Sequence, residues 1–254
     1  MTTAVMVAAG ERFVREVEAA RRVPSHCTAR IVDADLAGSS RYIVSEYVEG
    51  PTLQQAVEES GPRAGDDFLR LAIGTATALT AIHKAGVVHR DFKPANVILG
   101  VSGPRVIDFG IAREANTSSE LTQGVIGTPP YMAPEQAQGA QITSAVDMFA
   151  RGSVMVFAAT GRPPFGTGPS AEIFDAIRWA SPDLGELPGA VRSLVADCLA
   201  KEPADRPTAK VVLLRLPGHD DEPDVAKVDR ARRRAHRRPA RAGGHRSRGR
   251  EHRL

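Results

Sequence analysis

Apolar residues along the chain follow two rhythms. Ala4-Val5-Met6-Val7 is a short continuous apolar run and predicts one strand. Over 11–23, Phe13, Val17, Ala20 and Val23 recur at three- and four-residue steps, which predicts a helix stopped by Pro24. Residues 30–37 and 41–48 alternate around Gly38-Ser39-Ser40 and predict a hairpin, closed by a turn at Glu49-Gly50-Pro51. The helical period then returns up to about Lys84. Phe68, Leu69, Ala72, Ile73, Ala76, Leu79 and Ile82 form its predicted buried stripe. Asp66 and Asp67 are its predicted caps and Gly86 its end; His83, near that end, is expected as a surface or capping residue and not a catalyst. The apolar pairs and triples Val87-Val88, Val97-Ile98-Leu99 and Val106-Ile107 predict short strands flanking polar loops. Residues 144–160 read as a central buried helix, and 171–180, 191–201 and 208–216 as further helices, with Trp179 expected to pack. Strands interspersed with two helices up to residue 107, and helices alone after residue 144, make an α+β chain.

The polar loops between those strands carry the chemistry. One reads His89-Arg90-Asp91-Phe92-Lys93-Pro94-Ala95-Asn96 and the other Asp108-Phe109-Gly110. They set two acids, an amide and a lysine at one strand edge. Phosphoryl transfer from a metal–nucleotide needs that set: a carboxylate to accept a hydroxyl proton, hard oxygens for a cation, and a cation for the moving charge. His89 and Phe109 read as packing residues that fix the two loops.

Together with Ala133-Pro134-Glu135 further on, these motifs resemble the protein kinase family, specifically the eukaryotic-like Ser/Thr kinases of bacteria. Lys93, two residues after Asp91, follows the Ser/Thr pattern. The resemblance implies a two-lobed kinase-like fold with a truncated N-terminal β-lobe and a helical C-lobe. It divides the chain into a partial N-lobe over 1–48, a C-lobe over 49–216 and a tail over 217–254. ATP and Mg²⁺ are the implied cofactors, and proteins bearing Ser or Thr the implied substrates. Asp91, Lys93 and Asn96 would be catalytic. Asn96 and Asp108 would hold the metal. Glu46, through its carbonyl, and Val48, through its amide, would bind adenine, with Ile98, Ile107 and Asp108 also lining the nucleotide. Glu16 matches the helix glutamate that pairs with a phosphate-holding lysine, and Ser45 gates a pocket behind the adenine.

The same resemblance gives roles outside the nucleotide. Residues 111–123 suit an activation segment in which Thr117, Ser118, Ser119 and Thr122 are candidate phosphosites. Thr122 is preferred, with Arg90 as the guanidinium that would pair with its phosphate. Thr128 would bond Asp91 and Lys93. Glu135 would form a buried ion pair with Arg206, and Asp147 would accept hydrogen bonds from the catalytic-loop backbone. Arg151 stands where relatives place a bulky apolar residue. Buried without a partner it would cost several kcal/mol, so it is expected to snorkel to the surface or to mark weak selection.

The resemblance covers about residues 11–216 and breaks before that. No G-x-G-x-x-G precedes Glu16, and the first lysine is Lys84. If 4–6 is the remnant of the lysine-bearing strand, Met6 stands in the lysine's place. Two readings therefore stay open: an active Ser/Thr kinase, or a non-catalytic kinase-like module or fragment.

Charge changes the picture at one end only. Residues 225–254 hold eleven Arg and one Lys against Asp229 and Glu251, while the whole chain is at +3. Residues 1–224 thus carry seven more acids than bases. The tail is expected to be disordered, with weak non-specific anion binding and, as a third reading, nucleic-acid binding. It has no aromatic residue for base stacking, and a plainly solvated tail is the favoured expectation. Cys27 and Cys198 lack metal-ligand spacing and are expected as free thiols, at least partly buried. No apolar run is long enough for a transmembrane segment and no signal peptide is evident, which predicts a cytoplasmic location.

Overall fold

The computed structural model describes residues 2–7, 11–35, 41–108 and 129–217. The chain divides into compact units Met1–His219 and Asp220–Leu254, and the elements below all belong to the first. The tail, the activation segment with Thr122, the Phe109-Gly110 and Gly127-Thr128 pairs, and the turn at 38–40 lie outside the described residues.

Three strands form one antiparallel sheet in the order β1 (Thr2–Val7), β3 (Arg41–Glu46), β2 (Ile31–Asp35). β1 runs in register along all of β3, from Thr2 opposite Glu46 to Val7 opposite Arg41. The β2–β3 hairpin carries a register shift between Ile31 and Asp33. Between β1 and β2 lies α1 (Glu11–Ala20), whose Val17 is buried. The helix expected over 11–23 stops at Ala20. Arg22 and Val23 bond back only three residues, to Ala19 and Ala20 at 3.0 and 3.1 Å, a tightened last turn ahead of Pro24.

The chain leaves β3 past Tyr47 and turns at Gly50, where φ is 139°. A Cβ there would meet the Leu99 carbonyl oxygen at 2.6 Å, so only glycine lets this segment lie against the next sheet. That sheet is the antiparallel pair β4 (Val97–Gly100) and β5 (Gly103–Val106). Leu99 donates its amide to Pro51, and Val106 exchanges bonds with Cys27 and Ala29 at 3.0 and 3.1 Å. Val87 and Val88, expected in a strand, form no ladder; Val87 is instead buried beneath the loop that follows.

Helix α2 (Leu53–Ser60) was not expected from the apolar period. Its signal is a capping box: Thr52 accepts from the Gln55 amide at 3.1 Å, and the Gln55 side chain accepts from the Thr52 amide at 2.9 Å. α3 (Gly65–Lys84) starts at Ala64 without a side-chain cap. Asp66 and Asp67 are not caps; they sit inside its first turn, where they complement the helix dipole. Its buried face also turns slightly from the expected stripe, taking in Leu71, Thr75 and Ala78 and leaving Leu69 and Ile73 half-buried.

The remaining helices are α4 (Pro134–Ala137), α5 (Ala145–Thr160), α6 (Ser170–Trp179), α7 (Gly189–Cys198) and α8 (Ala209–Arg215). α5 is buried from Val146 to Ala158 and is the hub of the core. Trp179 corrects its expectation: it is 82% exposed, because α6 spends Ile173 and Ile177 on the core and ends with Trp179 facing out.

Arg151 corrects another. It neither reaches the surface nor lacks a partner. It is 1% exposed, and Nη2 donates to the Ala72 carbonyl of α3 at 2.7 Å. Burial pulls its pKa below the ordinary value, with the buried Cys198 opposing. One carbonyl, shared with the Thr75 hydroxyl, and a buried thiol compensate a buried guanidinium poorly. Arg151→Met, which keeps volume and removes the charge, is therefore expected to hold or raise the urea midpoint. Arg151→Ala leaves a cavity and is expected to lose about 2–5 kcal/mol in the same measurement.

Candidate active site

The loop from His89 to Asn96 is held from below by one carboxylate. Asp147, fully buried in the first turn of α5, accepts from the His89 amide at Oδ2 and the Arg90 amide at Oδ1, both at 2.8 Å. His83 Nε2 reaches the same Oδ2 at 2.7 Å. An ionised carboxylate only accepts, so His83 donates. His83, expected as a surface or capping residue, is thus half-buried and a partner of the loop's anchor. Arg90 takes φ 64°, a left-handed conformation that this anchoring must hold in place.

His89 joins the two loops. It is buried, its ring meets Phe92 edge-on at 5.6 Å, and Nε2 donates to the Ile107 carbonyl at 3.0 Å. Burial drives its pKa down, with Asp147 the largest opposing influence, so the ring is neutral at pH 7 and keeps that Nε2 proton. The Ile107 amide in turn donates to the Asn96 carbonyl at 3.0 Å, which brings the Asp108 loop beside the 3₁₀ turn Pro94–Asn96.

Three polar side chains converge on this ground. Lys93 Nζ lies 2.8 Å from Asp91 Oδ2. Asn96 Nδ2 donates to the Asp91 carbonyl at 2.9 Å and reaches Asp91 Oδ2 at 3.4 Å. Asp108, at φ 52°, follows directly. Its side chain is open to solvent by area, yet enough protein surrounds it for desolvation to raise its pKa; His89 and Lys93 oppose and Asp91 adds. Among the described residues its carboxylate accepts no hydrogen bond. Gln136, unmarked in the sequence reading, donates from Nε2 to the Arg90 carbonyl at 3.0 Å and ties α4 to the loop.

At the sheet side, Glu46 Oε1 pairs with Arg105 Nη1 at 2.9 Å. Val48 is half-buried, and its amide has no hydrogen-bond partner among the described residues. Ile98 is buried and Ile107 half-buried. Glu16 lies on α1, but its side chain is outside the description, and Met6 stands opposite Tyr42 on β3.

Glu135 and Arg206 meet as a buried pair outside the cluster. Nη1 and Nη2 approach Oε1 and Oε2 at 2.5 and 2.8 Å. The guanidinium also donates to the Ala145, Ala200 and Lys201 carbonyls at 2.8–2.9 Å and lies over the Phe149 ring. Every donor nitrogen is used, which is what burial of such a pair demands. Cys27 and Cys198 are free and buried, as expected. No helix among the described residues is long and apolar enough to cross a membrane.

The family described as "Protein kinase domain" matches residues 3–215. The chain belongs to the protein kinase family. That match takes in β1, beyond the expected start at residue 11. The chain is 47% identical over 206 residues to "Probable serine/threonine-protein kinase PkwA" of Thermomonospora curvata, covering 81% of this chain and 28% of that one. It is 46% identical over 211 residues to "Serine/threonine-protein kinase AfsK" of Streptomyces coelicolor, covering 82% and 26%. The AfsK of Streptomyces griseus is 43% identical over 251 residues, covering 91% and 31%. The chain therefore spans less than a third of the length of these relatives. The crystal structure of Rad53 1-466 in complex with AMP-PNP superposes with a TM-score of 0.71 at 24% identity, covering 84% of this chain and 56% of that one, which shows the fold.

Proposed function

We propose that this domain transfers the γ-phosphoryl group of ATP to Ser or Thr hydroxyls of proteins, autophosphorylation included. The observation that carries this is the convergence of Lys93 and Asn96 on Asp91. Asp91 holds the attacking hydroxyl and takes its proton, and Lys93 steadies the charge that builds on the transferred group. The donor set suits a magnesium nucleotide: Asn96 spends Nδ2 on the Asp91 carbonyl, which leaves Oδ1, and the Asp108 carboxylate accepts no hydrogen bond among the described residues. When bound, the magnesium nucleotide supplies the transferable group and shields its charge. Asn96 and Asp108 are the residues to hold the metal, with the Glu46 carbonyl, the Val48 amide, Ile98 and Ile107 holding adenine. Thr122, Arg90 and Thr128 keep their expected roles in ordering the activation segment and the substrate. We assign 1–48 and 49–216 to the two lobes and the domain to the cytoplasm. The basic tail is given no more than weak anion binding, which deletion of residues 225–254 would remove.

One observation favours a second reading, a kinase-like binding module. In β1, paired along all of β3, Met6 stands where the resemblance expects a lysine. The purified chain, incubated with labelled ATP, Mg²⁺ and casein, decides. Label incorporated by the chain but lost in Asp91→Asn supports transfer. Equal absence of label in both supports the module.

A further inference from the structure

A groove of about 650 Å³ lies away from the catalytic cluster, between the turn after α1, the C-terminal half of α3, and α8. Its floor is apolar, made by Pro24, Ala81, Ala85 and Leu213. Thr77 and Thr80 also line it, but their hydroxyls donate to the Ile73 and Ala76 carbonyls of their own helix at 2.9 and 2.7 Å. Two exposed cations, Arg22 and Lys84, complete the wall, and no acid is among the lining residues. Neither cation forms an ion pair among the described residues. They stand out on a body in which, over residues 1–224, acids outnumber bases by seven.

We propose that this groove docks an acidic peptide segment of a partner protein, one that alternates carboxylates with an aliphatic side chain. Charge complementarity selects the acid: among the described residues Arg22 and Lys84 form no ion pair, and no carboxylate lines the cleft they face. The apolar floor selects the aliphatic residue. The run from Thr77 to Lys84 extends about 10 Å along α3 at 1.5 Å per residue. An extended peptide covers that distance with about three residues, so a chain-like occupant fits the shape better than a compact one. The assignment is independent of the phosphoryl-transfer reading, since none of the lining residues belongs to that cluster.

The test uses the full chain and a fluorescein-labelled peptide of alternating Glu and Leu, read by fluorescence anisotropy. Saturable binding is expected. The double variant Arg22→Glu, Lys84→Glu is expected to weaken it about tenfold or more, and Arg22→Lys alone is expected to restore most of the loss seen with Arg22→Glu. Both positions are exposed, and thermal melting by circular dichroism checks that the fold is intact. The Arg-rich tail is unchanged in these variants, so it cannot account for a difference between them. Equal affinity in the wild type and the double variant overturns the proposal by assigning the binding to the tail. A peptide of alternating Glu and Ser that binds as tightly as the Leu peptide also overturns it, because the apolar floor would then select nothing.

Discussion

Asp91→Asn is expected to lower the phosphoryl-transfer rate by about 10²–10⁴-fold, the range for loss of a positioned general base. The substitution is nearly isosteric, and the backbone bonds that position residue 91 do not use its carboxylate. The Asp91 amide bonds the His89 carbonyl at 2.8 Å, and the Asp91 carbonyl receives Asn96 at 2.9 Å. What disappears is the acceptor for a hydroxyl proton and the anion 2.8 Å from Lys93. The loss is expected in kcat, with the KM for ATP little changed, because no nucleotide-holding residue named above is altered. Steady-state kinetics with labelled ATP measure the split. A variant within about twofold of the parent rate would remove Asp91 from the chemistry.

Arg206→Ala is expected to cost about 3–5 kcal/mol of folding stability. The substitution leaves Glu135, which is 7% exposed, without its bidentate partner. It also strands the carbonyls of Ala145, Ala200 and Lys201, so the start of α5 and the turn after α7 lose a common tie. Desolvation makes the orphaned carboxylate, more than the lost attraction, the source of the cost. The double change Glu135→Leu, Arg206→Met is expected to recover much of it, since neither charge then remains buried. Urea unfolding of the three proteins gives the comparison, and a loss below about 1 kcal/mol for Arg206→Ala would show that the pair is worth no more than a surface bridge.

The long elements were legible because their apolar period is strong. α3 and α5 were found to within a residue or two, and the pairing of β2 with β3 follows from alternation about a Gly-Ser turn. α2 was missed because eight residues carry too few periods to register, although its capping box was present in Thr52 and Gln55. Val87-Val88 misled because an apolar pair is buried equally well in a strand or beneath a loop. At the site, motif spacing marked Asp91, Lys93, Asn96 and Asp108. The residues that hold the loop from a distance were less visible. His83 and Gln136 act through contacts 64 and 46 residues away in sequence, and no local pattern encodes such a partner. Arg151 and Trp179 invert the usual rule of charge outside and ring inside. Only the tertiary setting decides that: the Ala72 carbonyl of α3 for one, a helix end for the other.

The three hydrogen bonds gathered by Asp147 have a dynamic consequence. Two amide protons of the loop are locked onto the most interior helix, so they are released only when that helix itself comes loose. In deuterium-exchange measurements, the amides of His89 and Arg90 are then expected among the slowest of any non-helical segment. Thermal inactivation and melting of the central helix are expected at one temperature.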